Sequence, residues 1–237
     1  MRTSNSYGII CCKKNKLTNK NEILFIKKKN TYAYISFIKG IYMSDFDILC
    51  LLNKMTLDEK LTILSLDFKL IWYKCFLSYS EFDKKINKLK RKFDKLKEKE
   101  NGKYLYNLIK KSSNVDLIFE IPKGHCNKNE SNINAAIREF YEETNLHKNK
   151  YKVLYDEKPI IYSFVDDNVK YIYTYYIAIM LDQSFIPRVN FDNKFMLYET
   201  SDIRFLPIDY IYVINNDIHF LNMVKNVLKI AKKYIIK

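Results

Sequence analysis

Three glutamates, Glu139, Glu142 and Glu143, have the spacing that brings carboxylates together on one side of a helix. The segment 131–144 has helical apolar spacing, and Ser131 is a residue type that caps helix N-termini. Its apolar positions are Ile133, Ile137, Phe140 and Thr144. On such a helix the glutamates crowd a face away from these positions, which costs roughly 0.2–0.5 kcal/mol per pair. A hard divalent cation would offset that repulsion; the alternative is an ordinary solvated acidic face.

The segment from Gly124 to Leu146 resembles the Nudix box, a glycine followed at fixed offsets by a glutamate and an Arg-Glu-apolar-any-Glu-Glu run. The matching positions are Gly124, Glu130, Arg138, Glu139, Phe140, Glu142, Glu143 and Leu146. Asn145 stands where the box has a second glycine. Asparagine is the usual second choice for the left-handed residue that ends a helix. The resemblance implies a hydrolase that cleaves a diphosphate joined to another group.

The resemblance also implies roles for the box residues. Glu139, Glu142 and Glu143 would ligate Mg²⁺ or Mn²⁺, which neutralises the diphosphate and lowers the pKa of a bound water. Either Glu142 or Glu143 would serve as general base, and the sequence does not choose between them. The matching arginine, Arg138, would hold Glu130 and orient the helix, although its spacing also allows a pair with Glu142.

Further candidates lie before and after the box. Gly124 allows the backbone to approach metal or phosphate closely, where a side chain would crowd them. A further carboxylate often comes from a loop before the last strand, and Glu199 is the best-placed candidate, with Asp202 second. Three residues just before the helix could contact metal or phosphate, namely Glu120, Lys123 and His125. For each of these residues the alternative is a surface side chain without a role.

Composition excludes several classes of protein. The chain has 237 residues, and 48% of them are hydrophobic, enough for a substantial core. Its five cysteines are odd in number and form no C-x-x-C pair, which fits a reducing compartment and argues against a zinc site. Tyr7–Cys12 is too short for a signal peptide, and Tyr171–Leu181 is too short to span a bilayer. We therefore expect a cytoplasmic protein without membrane insertion.

Positive charge is concentrated in separate segments of the chain. The formal net charge is +14, and residues 81–111 alone hold twelve lysines and arginines against five acids. Residues 1–40 and 216–237 are also basic. This distribution suggests a long polyanion partner such as nucleic acid. A codon bias towards lysine is the competing explanation.

The most basic segment has the spacing of an amphipathic helix. Its apolar stripe is Phe82, Ile86, Leu89, Phe93 and Leu96. The other faces are basic and could bind the RNA phosphate backbone without sequence preference. The candidate RNA-binding residues are Lys84, Lys85, Lys88, Arg91, Lys92 and Lys95. A solvated lysine-rich helix is the alternative.

Strand and helix patterns define the rest of the chain. Strands are predicted at 7–14 and 22–29 as a hairpin, and at 115–124, 152–165, 169–181 and 202–211, with a turn at 166–168 and a break at Pro207. Helices are predicted at 57–77, 103–111 and 216–237. Together they predict an α/β protein in which residues 1–40 and 114–237 form a Nudix fold, a mixed sheet between helices. Residues 41–113 form an inserted, basic, all-helical domain.

This layout and several segments of the insertion, SFIKGIY, KMTLDEKL, LDFKLIWY and NGKYLYNLI, resemble the mRNA-decapping Nudix hydrolases of large cytoplasmic DNA viruses. The African swine fever virus type is the most similar; poxvirus and giant-virus enzymes are more distant. The resemblance implies removal of the 5′ cap, releasing 7-methyl-GDP and 5′-monophosphate RNA in the host cytoplasm.

Two alternatives remain open at this stage. The African swine fever virus type is also described as a diphosphoinositol polyphosphate phosphohydrolase, so inositol pyrophosphates or nucleoside polyphosphates are competing substrates. An RNA-binding protein with an inactive Nudix domain is the other alternative, against which the intact glutamates argue. A methylated cap base requires an aromatic stack, yet with 15% aromatic residues the sequence singles out none. It also leaves the oligomeric state and protein partners open.

Overall fold

The chain folds into two compact units. The computed structural model describes residues 1–77, 83–117, 119–166, 168–215 and 217–235. The first unit, here called the sheet unit, consists of Met1–Lys28 and Ile118–Lys237; the second, the helical unit, is Lys29–Leu117. Phe82 of the predicted apolar stripe and Asp167 of the predicted turn lie outside the described residues.

The described residues of the sheet unit contain one mixed sheet. Its strands are β1 Arg2–Lys14, β2 Asn21–Lys28, β3 Phe119–Glu120, β4 Lys123–Gly124, β5 Tyr151–Val153, β6 Ile160–Asp166, β7 Val169–Met180 and β8 Thr200–Pro207. Strand β1 pairs antiparallel with β2 and β4, and parallel with β7. Strand β2 also pairs with β3 and β8, and β7 with β5 and β6. The predicted hairpin of the first two strands and the mixed sheet are confirmed.

The helices divide between the two units. In the helical unit they are α1 Tyr32–Ile38, α2 Asp45–Asn53, α3 Leu57–Ser65, α4 Phe68–Phe76, α5 Lys84–Glu98 and α6 Lys103–Lys111. In the sheet unit they are α7 Asn132–Thr144, α8 Lys194–Glu199, α9 Ile208–Ile214 and α10 Ile218–Ile235. Within the described ranges, none of these helices is long and apolar enough to cross a membrane.

The sheet lies between α7 and α10. Successive residues of β1 point to opposite faces, and both faces of this strand are apolar and buried. Ile9 packs in one cluster with Phe140 of α7, whereas Ile10 packs in another with Val224 of α10. The continuous apolar run in β1 is typical of a strand that is covered on both sides. This arrangement fixes α7 against one face of the sheet.

The helical unit begins earlier than the sequence suggested. Residues 31–40 were expected in the Nudix domain, but α1 packs with the other helices of the insertion. Phe37 of α1 lies edge-to-face on Phe93 of α5, with ring centroids 6.3 Å apart. The backbone amide of Thr31, the N-cap of α1, donates to Glu59 Oε1 of α3 at 2.6 Å. The compact unit therefore starts at Lys29 rather than at residue 41.

Two further elements differ from the sequence prediction, one because of a polar N-cap and the other because of a proline. The predicted helix 57–77 is two helices, because Asp67 accepts a hydrogen bond from the Leu70 amide at 3.1 Å and starts α4. The predicted strand 202–211 ends at Pro207, the N-cap residue of α9, and Ile208–Ile214 is helical. Proline lacks the N–H that would extend the strand ladder. The closing helix agrees with the prediction, with Leu221, Val224, Leu228 and Ala231 buried.

Two predicted strands are shorter than expected. Among the described residues of 115–124, only the two-residue strands β3 and β4 occur, separated by Ile121 and Pro122. The segment 152–165 is divided into β5 and β6, with Leu154–Pro159 forming an irregular connection. Apolar residues occur in both connections, so their pattern resembles that of a strand. The β6–β7 hairpin itself is as predicted.

Candidate active site

Helix α7 carries the glutamates and begins and ends where the sequence indicates. Ser131 Oγ accepts a hydrogen bond from the Asn134 amide at 3.4 Å. Asn145 has φ of 56°, so the residue in the position of the second box glycine adopts the left-handed conformation that closes the helix. Phe140 and Thr144 are buried, which confirms the apolar side of the helix.

The guanidinium of Arg138 connects two glutamates of α7 to the segment that precedes the helix. Its Nε and Nη2 each lie 3.0 Å from a carboxylate oxygen of Glu130, the bidentate geometry for which arginine is suited. Its Nη1 donates to Glu139 Oε1 at 2.7 Å and to Glu142 Oε2 at 3.1 Å. Nη2 also donates to the carbonyl of His125 at 2.8 Å. Both partnerships considered for Arg138 therefore occur together, and the loop before α7 is tied to the helix.

Gly124 sits against Glu139. A Cβ atom built on Gly124 would overlap the carboxylate carbon and both oxygens of the Glu139 side chain. The residue lies in β4, paired with Tyr7 of β1, so the backbone cannot shift without breaking that pairing. Glycine is therefore needed here for space, and the crowded group is one of the three box glutamates.

Gly124→Ala is expected to displace the Glu139 carboxylate and to lower kcat about hundredfold, since a misplacement of about 1 Å can cost that much. Because the clash is with the end of a flexible side chain, the free energy of unfolding should fall by only about 1 kcal/mol, at the low end of overpacking costs. Steady-state hydrolysis and chemical denaturation measure the two effects. Wild-type activity in this variant would show that the Glu139 position is not critical.

Glu143 is buried, contrary to the expectation that all three carboxylates face away from the apolar side. The residue is 2% exposed. Its Oε2 accepts the backbone amide of Lys123 at 2.9 Å, and its Oε1 is ion-paired with Lys28. Glu139 and Glu142 are more open and bind Arg138. Since Glu143 lies three residues after Phe140, helix geometry turns it toward the sheet.

Lys28 joins Glu143 to Glu199. Its Nζ lies 2.8 Å from Glu199 Oε2 while it pairs with Glu143. The structure thus brings Glu199, proposed from the sequence as an additional carboxylate, to the box helix. Asp202 is held elsewhere, by Arg204 at 2.7 Å. Sequence reasoning missed Lys28, whose only signal was its place at the end of a strand that pairs with the strand following Glu199.

Glu120 and Lys123 extend this charged cluster. Lys123 Nζ pairs with Glu120 Oε2 at 2.6 Å. The other oxygen, Glu120 Oε1, is inaccessible to solvent and has no hydrogen-bond partner among the described residues. A buried acceptor of this kind is costly unless a ligand supplies the missing interaction. Glu120 is therefore a stronger candidate for contacting metal or substrate than the sequence indicates.

Burial and neighbouring charges shift the pKa values of the carboxyls in opposite directions. Burial raises the pKa of Glu143 to about 7, with Glu120 adding to the rise and Lys28 opposing it. The pKa of Glu142 is also raised, first by burial, against the pull of Arg138. Burial alone would raise the pKa of Glu120, but Lys123 and Lys28 outweigh it and leave that pKa lowered. Perturbed carboxyls gathered in this way are typical of functional sites.

The donor set fits a hard divalent cation. Carboxylates of Glu139, Glu142, Glu143 and Glu199 gather around α7, and oxygen ligands are those that Mg²⁺ and Mn²⁺ prefer. Among the described residues, however, no three His, Cys, Asp or Glu side chains have the geometry of a metal-binding site. Arg138 and Lys28 each hold one oxygen of two of these carboxylates. Glu120 Oε1 could serve as a further metal ligand, because no hydrogen bond from a described residue occupies it.

His125 lies in the loop between β4 and α7. Its ring nitrogen Nε2 is 3.2 Å from Ser4 Oγ on β1, and its carbonyl accepts from Arg138. The backbone contact ties this loop to the box helix, while the ring contacts β1.

The basic residues of α5 have two different environments in the helical unit. Lys84, Lys85, Lys88, Arg91 and Lys95 are exposed. Lys92 Nζ instead donates to the carbonyls of Gly40 and Tyr42, at 2.8 and 2.6 Å, so Lys92 is a structural residue. Several of these side chains surround an open groove of about 640 Å³, lined by Gly40, Lys85, Lys88, Leu89, Arg91, Lys92 and Lys95.

Comparison with known proteins decides the family. The model of the NUDIX domain matches residues 98–220, more than half of the chain. The chain belongs to the Nudix family. It is 31% identical over 207 residues to the mRNA-decapping protein g5R of African swine fever virus (isolate Pig/Kenya/KEN-50/1950), covering 84% of this chain and 81% of the relative. The g5R protein of isolate Warthog/Namibia/Wart80/1980 is 30% identical, covering 80% and 78%.

A solved Nudix structure shares the fold. A binary complex of the Caenorhabditis elegans Ap4A hydrolase aligns with a TM-score of 0.50 at 12% identity, covering 97% of this chain and 98% of that one. The predicted Nudix fold and the resemblance to viral decapping proteins are confirmed. The chain is a Nudix pyrophosphohydrolase with a mixed sheet flanked by helices.

Proposed function

We propose that this Nudix hydrolase removes the 5′ cap of mRNA in a metal-dependent reaction, releasing 7-methyl-GDP and 5′-monophosphate RNA. The observation that carries the proposal is its similarity to g5R, a decapping protein, over 207 residues. An alignment of that length exceeds either compact unit, so it includes parts of the sheet unit and of the helical unit. The proposed place of action is the host cytoplasm.

The residues of the sheet unit divide the chemical work. Glu139, Glu142, Glu143 and Glu199 would hold Mg²⁺ or Mn²⁺, which when bound neutralises the diphosphate and acidifies a water. One of Glu142 and Glu143 accepts the proton of the attacking water. Arg138 keeps two of these carboxylates and the preceding loop in place through its contacts.

The helical unit supplies a candidate surface for the RNA body. Four exposed basic residues line the groove beside α5, Lys85, Lys88, Arg91 and Lys95. Phosphate contacts of this type give affinity without reading sequence. A compact polyphosphate such as a diphosphoinositol polyphosphate matches the same charge cluster, and it is the second candidate substrate.

Replacing Lys85, Lys88, Arg91 and Lys95 by Gln is expected to weaken RNA binding and to flatten its dependence on salt. For single-stranded RNA, the slope of log K against log[salt] should fall by about 0.7 for each phosphate that the variant no longer neutralises. Fluorescence anisotropy with a labelled RNA at several salt concentrations measures both quantities. Lys92 is left intact because it holds Gly40 and Tyr42.

A matched control removes the same charge from the sheet unit. Four exposed lysines of that unit, Lys148, Lys150, Lys152 and Lys158, serve this purpose. Their replacement by Gln should lower the affinity much less than the α5 substitutions do. Equal losses in the two variants would mean that RNA responds only to net charge, which contradicts a binding surface on α5.

The decisive test of function compares substrates under one condition. The protein and Mn²⁺ are incubated with cap-labelled RNA, free cap dinucleotide, a dinucleoside tetraphosphate and a diphosphoinositol polyphosphate. We expect 7-methyl-GDP to be released from long capped RNA with the highest kcat/KM. Hydrolysis confined to the small molecules would replace decapping by the second candidate function, and inertness toward all four would contradict both.

A further inference from the structure

Four aromatic side chains form a continuous patch on strands β6 and β7. Tyr162 lies opposite Tyr173, and Phe164 opposite Tyr171, in the antiparallel register. The rings of Phe164 and Tyr171 are stacked, with centroids 5.1 Å apart and planes at 17°. Phe164 also meets Tyr173 edge-on at 5.5 Å. Because cross-strand partners share one face of a sheet, the four rings form a single platform, here called the ring platform.

Only one end of this sheet face is covered by α10. Tyr175, farther along β7, is 2% exposed within the cluster that packs on α10. Phe220, in the first turn of α10, contacts Tyr162 edge-to-face at 5.8 Å. Beyond that contact Phe164 is 36% exposed, and Tyr171 and Tyr173 are partly open. The ring platform therefore emerges from the core as a stacked aromatic surface.

The ring platform adjoins the charged site through Lys123. The Nζ atom of Lys123 lies 4.9 Å from the ring centroid of Tyr173 and pairs with Glu120. Its backbone amide binds Glu143. On the neighbouring strand Ser4 is in register with Tyr171 and contacts His125. One ring contact, through Lys123, and one strand pairing, through Ser4, thus connect the ring platform to the segment that carries Gly124 and precedes α7.

A flat, positively charged heteroaromatic group fits this surface. Aromatic faces attract cations, and stacking on a ring is available to any planar base. Guanine methylated at N7 carries a positive charge and is joined to the phosphates that are to be cleaved. With the base on the rings, the attached phosphates would extend toward Lys123 and the carboxylates. An uncharged base would keep the stacking and lose the cation–π attraction.

We propose that Phe164, Tyr171 and Tyr173 form the subsite that stacks the 7-methylguanine base of the cap. The assignment rests on the proposed decapping function, and it names the residues that select a methylated base. Phe164 and Tyr171 supply the ring faces for the cationic base, whereas Tyr173, which already carries the Lys123 ammonium on its ring, borders them.

The test measures binding of 7-methyl-GDP and GDP by isothermal titration calorimetry in the presence of Mg²⁺. The wild-type protein should bind 7-methyl-GDP about tenfold more tightly than GDP. The double substitution Phe164→Leu with Tyr171→Leu, which keeps apolar bulk on the strands, should remove this preference and raise KM for capped RNA about tenfold. Tyr171→Phe should retain both, because the ring and not the hydroxyl is needed.

Tyr155→Leu is the matched control, since Tyr155 is 63% exposed and lies outside the ring platform. Its binding preference should equal that of the wild type, and thermal unfolding verifies that each variant is folded. If capped RNA is cleaved and the double variant keeps the preference for 7-methyl-GDP, the subsite assignment is overturned. If the wild-type protein fails to cleave capped RNA, the proposed decapping function is contradicted. The comparison of 7-methyl-GDP with GDP still tests whether the ring platform binds a methylated base.

Discussion

Glu143→Gln is expected to lower kcat for hydrolysis by at least about a thousandfold, because it removes a charged ligand and a candidate base in one step. The carboxylate is buried and held from two sides, by Lys28 and by the amide of Lys123. A glutamine can still accept from that amide through its carbonyl oxygen. Its NH₂ group then faces the Lys28 ammonium, which retains Glu199 as a partner. The fold should survive while the charge required for the metal is removed.

The same substitution should change how the stability of the metal-free protein depends on pH. Burial raises the pKa of Glu143 to about 7 from its ordinary value of 4.5, so between these pH values the folded state holds a proton that the unfolded state releases. In this range the wild-type free energy of unfolding falls as pH rises, relative to Glu143→Gln, by at most about 3 kcal/mol. The pKa of Glu120 is shifted the other way, but this contribution remains in both proteins and cancels to a first approximation in the comparison.

Denaturant unfolding in EDTA at pH values from about 4 to 8, which bracket the two pKa values, measures this difference. Single-turnover hydrolysis measures the decrease in activity. Asp156→Asn, an exposed acid outside the site, controls for the removal of one charge. Glu142→Gln should impair activity to a similar extent, with a smaller change in the pH profile because Glu142 is less buried. Full activity of Glu143→Gln would remove this residue from the proposed metal site.

Local sequence patterns were enough to find the box helix and its ends. Ser131, Phe140 and Asn145 each have a role that depends on neighbours within one or two turns, and the structure places all three as expected. The burial of Glu143 was missed because the faces of α7 were assigned by residue type. Position 143 follows Phe140 by three residues, which places it on the sheet side whatever its polarity.

Features that depend on distant parts of the chain could not be derived in this way. Lys28 meets Glu143 and Glu199 only because β2 pairs with β8, and no local pattern encodes that pairing. The ring platform has a partial signal in the alternation of Tyr171 and Tyr173. Its stacking with Phe164 requires the register of the β6–β7 hairpin. The start of the helical unit was misplaced for the same reason, since α1 belongs there through its contact with α5.

Arg138→Lys is expected to reduce kcat/KM about hundredfold and to lower the free energy of unfolding by about 1–3 kcal/mol. The guanidinium makes contacts with Glu130, Glu139, Glu142 and the His125 carbonyl. A lysine ammonium is a single point charge and cannot reproduce the bidentate contact with Glu130 while reaching the other carboxylates. Lysine keeps the positive charge, but several of these partly buried acceptors lose their hydrogen bonds. Two effects should therefore appear together, a destabilised helix–loop junction and misplaced glutamates.

Arg188→Lys provides the matched control, because Arg188 is exposed and lies outside this network; its activity and stability should stay at the wild-type values. A double-mutant cycle with Glu130→Gln separates the two roles of Arg138. If Arg138 acts chiefly by holding Glu130, the double variant should be little worse than Arg138→Lys alone. If its main task is to align Glu139 and Glu142, the effects of the two substitutions should add. If Arg138→Lys keeps its activity but loses stability, the role of Arg138 is confined to stabilising the fold. The carboxylates would then keep their positions without the guanidinium.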